Sequence, residues 1–92
     1  MNVKEAVLAA KAFIADLYQD ESPQNIGLEE VEFNSAQNEW IVTIGFSRPW
    51  EEPKSAFAAI AAASTAKRSY KIVRIADATG EVLSVKNRDF KA

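Results

Sequence analysis

The sequence predicts one small α+β domain in which an N-terminal helix packs on a four-stranded antiparallel sheet made of two hairpins. Its 92 residues suffice for a single domain, 1–92, with one modest core. Apolar residues recur with a helical period near the N-terminus and with a period of two in later segments. We therefore expect a helix over 3–20, a first hairpin over 28–47, an insertion over 48–69 and a second hairpin over 70–87.

The predicted helix has a clear apolar face and recognisable ends. Its apolar residues recur every three or four positions, at Val3, Val7, Ala10, Ile14 and Leu17. Asn2 can cap the first turn, and Glu5 stands three residues later, where it completes a capping box. Pro23 cannot continue a helix. We expect this helix to cover one face of the sheet.

Four strands follow from alternating apolar positions. The first strand alternates acidic and apolar residues, namely Glu30, Val31, Glu32 and Phe33. The second points a set of large apolar side chains to one face, namely Trp40, Val42, Ile44 and Phe46. The third and fourth strands cover residues 70–75 and 82–85. A tight turn joins them, in which Gly80 is free to adopt a positive φ.

The segment 48–69 cannot extend the second strand, because Pro49 and Pro53 donate no ladder hydrogen bonds. An alanine-rich run follows Pro53. Alanine is the best helix former, and proline suits the first turn of a helix. We expect an Ala-rich insertion that is either a short helix near 53–65 or a flexible flap.

The sequence contains neither cysteine nor histidine. Disulfides, thiolate metal ligands and the usual general base are therefore excluded. The three glycines are isolated, so no phosphate-binding loop is present. We interpret Glu30 and Glu32 as the solvent face of an edge strand, where charge discourages aggregation, and not as an acid–base pair. We expect no enzyme activity, no catalytic residue, no cofactor and no metal site.

The N-terminus lacks the basic start and apolar stretch of a signal peptide, and no run approaches the roughly 20 apolar residues of a membrane span. The absence of cysteine fits a reducing compartment. We expect a cytoplasmic protein that does not bind membranes.

The formal net charge of −2 combines two halves of opposite sign. Residues 1–46 carry two basic and eight acidic residues, whereas residues 47–92 carry nine basic and five acidic ones. The halves can pair within the fold, or they can form a dipolar surface that steers a partner. The acidic half would repel phosphate, so we do not expect nucleic-acid binding.

Six side chains are candidates for contacting a protein partner. Trp50 stands near Arg48 outside every predicted strand, and these two residue types are enriched in binding hot spots. The full set is Arg48, Trp50, Phe57, Ile60, Tyr70 and Arg74. The predicted function is that of a non-catalytic protein-interaction module, an inhibitor or regulator of its partner. The alternatives are an immunity or antitoxin protein that masks a toxin, and a structural homodimer that uses the open sheet face.

Residues 39–46 and 70–83 together resemble PepSY-like domains. In that family a helix precedes a strand pair, and a final hairpin carries an aspartate, a turn and the Thr-Gly-Glu-Val sequence found here at 79–82. The resemblance implies a non-catalytic domain that binds or inhibits a protein partner, often a peptidase. It assigns no site residue.

Overall fold

The described part of the chain forms one α-helix and four β-strands. The computed structural model describes residues 1–51 and 68–88. Helix α1 covers Val3–Leu17, and the strands are β1 (Gln24–Asn34), β2 (Glu39–Ser47), β3 (Ser69–Ala76) and β4 (Val82–Asn87). The sheet is antiparallel with the order β1-β2-β3-β4, so β1 and β4 are its edges. The predicted α+β fold is confirmed. The predicted helix near 53–65, with Phe57 and Ile60, lies outside the described residues.

Helix α1 begins at the predicted capping box. The Asn2 side chain accepts a hydrogen bond from the Glu5 backbone at 2.9 Å, and the Glu5 carboxylate accepts one from the Asn2 backbone at 2.7 Å. The helix ends at Leu17, three residues before its predicted end. A 3-10 turn over Gln19–Glu21 follows, and Ser22 adopts a left-handed conformation with φ of 49°. Acidic residues at this end oppose the helix dipole, which favours early termination.

Strand β1 begins at Gln24, four residues before the predicted first hairpin. Its pairing with β2 shifts register twice, first between Gln24 and Gly27 and again between Leu28 and Glu30. Each shift places an extra residue in β1 and interrupts its two-residue alternation. The ladder is regular only from Glu30 to Asn34.

The core lies between α1 and the two central strands. Its fully buried side chains are Ala6, Ala10, Ile14, Val42, Ile44, Phe46, Val73 and Ile75. Alanines on α1 let the helix approach the sheet closely, since the larger side chains come from the strands. Val3 and Leu17, which share the predicted apolar face, lie at the two ends of the helix and stay 45% and 48% exposed.

Contacts at both ends of α1 fix its direction across the sheet. The Met1 amino group lies 3.5 Å from Asp77 Oδ1 in the β3–β4 turn. At the far end of β2, the ring centroids of Tyr18 and Phe46 lie 5.2 Å apart. Helix α1 therefore runs in the direction of β2 and opposite to β1. No α-helix among residues 1–51 and 68–88 has the length and apolar character needed to cross a membrane.

The sheet face opposite α1 is not freely exposed along β2. Glu39, Thr43 and Ser47 alternate with the core residues of that strand, and their exposed fractions are only 3–4%. The Asn25 side chain donates a hydrogen bond to Ser47 Oγ at 3.3 Å, so a residue of the irregular part of β1 lies over this face.

Candidate functional site

Arg48 and Trp50, two of the predicted partner contacts, lie together. The Arg48 guanidinium carbon is within cation–π distance of three rings, at 5.1 Å from Phe46, 5.6 Å from Tyr18 and 5.8 Å from Trp50. The same guanidinium pairs with the Glu21 carboxylate and donates to Ser69 Oγ. The Arg48 side chain is only 15% exposed. Through these contacts it connects the end of α1 to β2 and β3.

Trp50 itself presents most of its side chain to solvent. It belongs to a short 3-10 turn over Pro49–Glu51, and its exposed fraction is 65%. An exposed indole can add a large apolar contact to a partner. Phe57 and Ile60, the two candidate contacts from the predicted insertion, lie outside the described residues.

Tyr70 and Arg74 lie on the sheet face opposite α1. Arg74 donates two hydrogen bonds to the Glu39 carboxylate, which hold the pKa of that carboxyl below its ordinary value and raise the pKa of Arg74. Tyr70 is half-buried, and Arg88 lies 5.9 Å from its ring centre. The two residues are four positions apart on β3, roughly 13 Å by strand rise.

The four described candidates therefore do not form one continuous site. Arg48 contacts rings on the α1 side of the sheet, whereas Tyr70 and Arg74 lie on the other side. Arg48 and Arg74 both make ion pairs within the chain. Among the four, Trp50 is the one with an exposed fraction above half.

A groove between α1 and β1 is a second candidate, and one that the sequence pattern did not single out. It is a shallow, open groove with a volume of about 350 Å³, lined by Val3, Lys4, Val7, Leu8, Leu28 and Val31. Leu8 is 66% exposed, Val3 45% and Leu28 42%. A groove lined mainly by apolar side chains, several of them exposed, is a candidate interaction surface.

The local structure of both elements builds this groove. Lys4 and Leu8 are one helical turn apart, so both lie on the same side of α1. On the strand, Leu28 and Val31 would point to opposite faces if β1 were regular. The extra residue at Glu29 restores their common direction toward α1, because it shifts the register between Leu28 and Glu30.

The opposite side of β1 is acidic. Glu30 and Glu32 alternate with Val31, and both are exposed. Glu29 is also exposed, and its carboxylate reaches toward Gly45, where a Cβ atom would lie 3.1 Å from Oε2. The edge strand thus separates an apolar groove on one face from carboxylates on the other.

Sequence reasoning missed this groove, although one signal was present. Leu8 falls outside the apolar stripe of α1 and stands between Lys4 and Lys11 on the polar side. A large apolar residue on the polar side of an amphipathic helix is a reason to look for a binding surface. The amino-acid sequence contains no comparable sign of the register shift at Glu29.

Within the two described ranges, no group of three or more carboxylates lies close enough to hold a metal ion. Comparisons with protein-family models, with curated proteins and with solved structures find no match to this chain. The resemblance to PepSY-like domains stays a prediction.

Proposed function

We propose that this protein is a non-catalytic module that binds another protein through the groove between α1 and β1. The observation that carries the proposal is the convergence of exposed apolar side chains from two elements on one concave surface. Removing Val3, Leu8 and Leu28 from water would contribute about 1 kcal/mol each, given their present exposure. Such a surface suits an inhibitor or regulator that acts by occupying its partner.

The groove and Trp50 lie at opposite ends of α1, so their contributions can be separated. The groove involves the first half of the helix, from Val3 to Leu8, whereas Trp50 lies beside Arg48 near the helix end. A homodimer through the face opposite α1 is less well supported, because Thr43 is already buried in a single chain.

Site-specific photo-crosslinking in the native host tests the groove. A photoreactive benzoyl-phenylalanine replaces Leu8 in one variant and Leu17 in a control variant. Both positions are exposed positions of the same helix, and Leu17 does not line the groove. We expect a defined protein to be crosslinked from position 8 and not from position 17. Equal crosslinking from both positions, or none from position 8, would contradict the proposal.

The crosslinked protein is then purified and its affinity measured by calorimetry. Leu8→Gln should weaken binding at least about tenfold, which corresponds to about 1.4 kcal/mol. Leu17→Gln should leave the affinity within about twofold. Both variants should melt close to the unmodified protein, because substitutions at exposed positions change stability by about 0.5 kcal/mol or less.

A further inference from the structure

We propose that the groove accepts an extended segment of the partner, which adds to β1 as a fifth strand. The apolar side chains of that segment face α1, and basic side chains alternate with them and face Glu30 and Glu32. The inference rests on the proposed function, because it names the chemistry of the partner that the same groove would bind.

The edge of the sheet supplies the first argument. Strand β1 pairs with β2 on one side, and no strand in the described part of the chain pairs with its outer side. Residues 30–34 keep a regular ladder with β2, so their outward backbone groups repeat with the spacing that an added strand needs. Residues 24–29 contain both register shifts and would not support continuous pairing.

The groove lies where alternate side chains of an added strand would point. A fifth strand would lie about 4.8 Å outside β1, and every second side chain would face α1. On that face it would meet Leu8 from the helix and Val31 from the strand, both of which line the groove. Phe33 extends the same apolar row and is 41% exposed.

Charge determines which face of the added strand is basic. Glu30 and Glu32 are exposed on the face opposite the groove, and opposite charges on neighbouring strands stabilise pairing. Lys4 is the one charged residue among those that line the groove, and it disfavours a basic side chain there. A segment in which apolar and basic residues alternate places apolar side chains against the groove and basic side chains beside Glu30 and Glu32.

The same charges disfavour a second copy of this chain as the occupant. Pairing of β1 with β1 of another copy would bring two rows of glutamates side by side on one face. Like charges on neighbouring strands destabilise pairing. The net charge of residues 1–46, with eight acidic and two basic residues, also attracts a basic partner.

A synthetic heptapeptide with the sequence Lys-Val-Lys-Val-Lys-Val-Lys, blocked at both ends, tests the inference. Its control has the same composition in blocks, Lys-Lys-Val-Val-Val-Lys-Lys. We expect the alternating peptide to bind at least about tenfold more tightly at equal salt. Its binding should shift the backbone amide resonances of residues 30–34. Equal affinity for the two peptides would overturn strand addition.

Backbone methylation tests whether the peptide pairs through its main chain. The N–H groups of the valines and of the lysines lie on opposite edges of an extended strand. One peptide is N-methylated at its three valines and another at its interior lysines. If the peptide pairs with β1 through one of its two edges, one of the two methylated peptides should lose binding and the other should keep it. Loss in neither, or equal loss in both, would contradict the proposal.

Charge reversal tests the acidic face. In Glu30→Lys/Glu32→Lys, the preference should change to the peptide Glu-Val-Glu-Val-Glu-Val-Glu. A matched variant, Asp20→Lys/Glu81→Lys, changes the net charge equally at exposed positions outside the groove. It should keep the preference for lysine. An equal change of preference in both variants would mean attraction by net charge alone and would overturn the inference.

The crosslinked partner separates the two proposals. If Leu8→Gln weakens its binding while the segment captured at position 8 is helical or lacks alternation, strand addition fails and the proposed function stands. If Leu8→Gln leaves its binding unchanged, both proposals fail. Capture of an extended segment that alternates apolar and basic residues supports both.

Discussion

Glu39 and Arg74 form an ion pair with two hydrogen bonds across the two central strands. Arg74 Nε lies 2.8 Å from Oε1 of Glu39, and Nη2 lies 2.7 Å from Oε2. The pair is diagonal, since Arg74 is directly opposite Ile41 in the ladder. Like Arg48 with Glu21, it joins a basic residue of the second half to an acidic residue of the first. These two ion pairs therefore neutralise, within the fold, part of the charge difference between the two halves of the chain.

This pair should make stability depend on pH. The folded pKa of Glu39 lies below its ordinary value of 4.5, chiefly because of the hydrogen bond from Arg74. The stabilisation is therefore present above pH 4.5 and is lost as the pH falls through the folded pKa. In thermal melts, Glu39→Gln should lower Tm most near neutral pH, and the difference should disappear in strong acid.

The exposed residue Glu81 provides the control for this experiment. Glu81→Gln should melt close to the unmodified protein at every pH. A Tm difference for Glu39→Gln that stays constant from neutral pH to strong acid would show that its carboxylate contributes nothing through ionisation.

Trp40 and Asp77 should be energetically coupled. The indole N–H of Trp40 donates to Asp77 Oδ1 at 2.9 Å, across 37 residues of sequence. In a double-mutant cycle with Trp40→Phe and Asp77→Ala, the two losses of stability should overlap by about 1 kcal/mol. Asp77→Ala combined with the distant Leu17→Ala should instead be additive within about 0.5 kcal/mol. Additivity in the first cycle would mean that this hydrogen bond has no net stabilising effect.

Arg48→Lys should destabilise the fold by about 1 kcal/mol, because lysine lacks the planar guanidinium that lies near three rings. Trp50→Ala should change stability by about 0.5 kcal/mol or less, since Trp50 is 65% exposed. Urea unfolding measures both. If Arg48→Lys unfolds like the unmodified protein, the contacts of Arg48 within the chain do not explain its presence, and its predicted role at an interface becomes the better explanation.

Gly80→Ala should destabilise the fold by about 1–2 kcal/mol, because Gly80 has φ of 74°, where a Cβ atom is strained. Its amide also donates to Ala76 O at 2.8 Å and closes the β3–β4 turn. Gly27→Ala is the matched control, since Gly27 does not have a positive φ and its new Cβ would lie 3.9 Å from the nearest atom. That change should be neutral or stabilise by up to about 1 kcal/mol. Equal effects of the two substitutions would contradict the assigned turn geometry.

The sequence pattern predicted those elements that are determined by residues close together in the chain. The capping box at Asn2 and Glu5, the alternation of β2 and the turn at Gly80 all depend on residues close in sequence. The start of β1 depends instead on distant pairing, because Gln24 is opposite Ser47. Asn25, with its positive φ, and Gly27 have the composition of a loop, so nothing local indicated a strand there.

The groove was missed for a similar reason. Periodicity identifies the apolar side of a helix, but it does not say how much of that side another element covers. Val3 belongs to the predicted apolar face and is 45% exposed, because burial depends on where the sheet lies beneath the helix. The partner of Arg74 could not be named either, since Glu39 becomes its neighbour only in the observed register of β2 and β3.

The connection between the two central strands has a consequence for folding kinetics. Four residues separate β1 from β2, whereas 21 residues separate β2 from β3. In the unfolded chain, bringing together the ends of the longer connection costs about 1.5 kcal/mol more in loop-closure entropy. The two hairpins can therefore assemble locally, and joining them through pairs such as Val42 with Val73 becomes the late step. Shortening the segment between Ser47 and Ser69 should accelerate refolding more than any change in either hairpin turn.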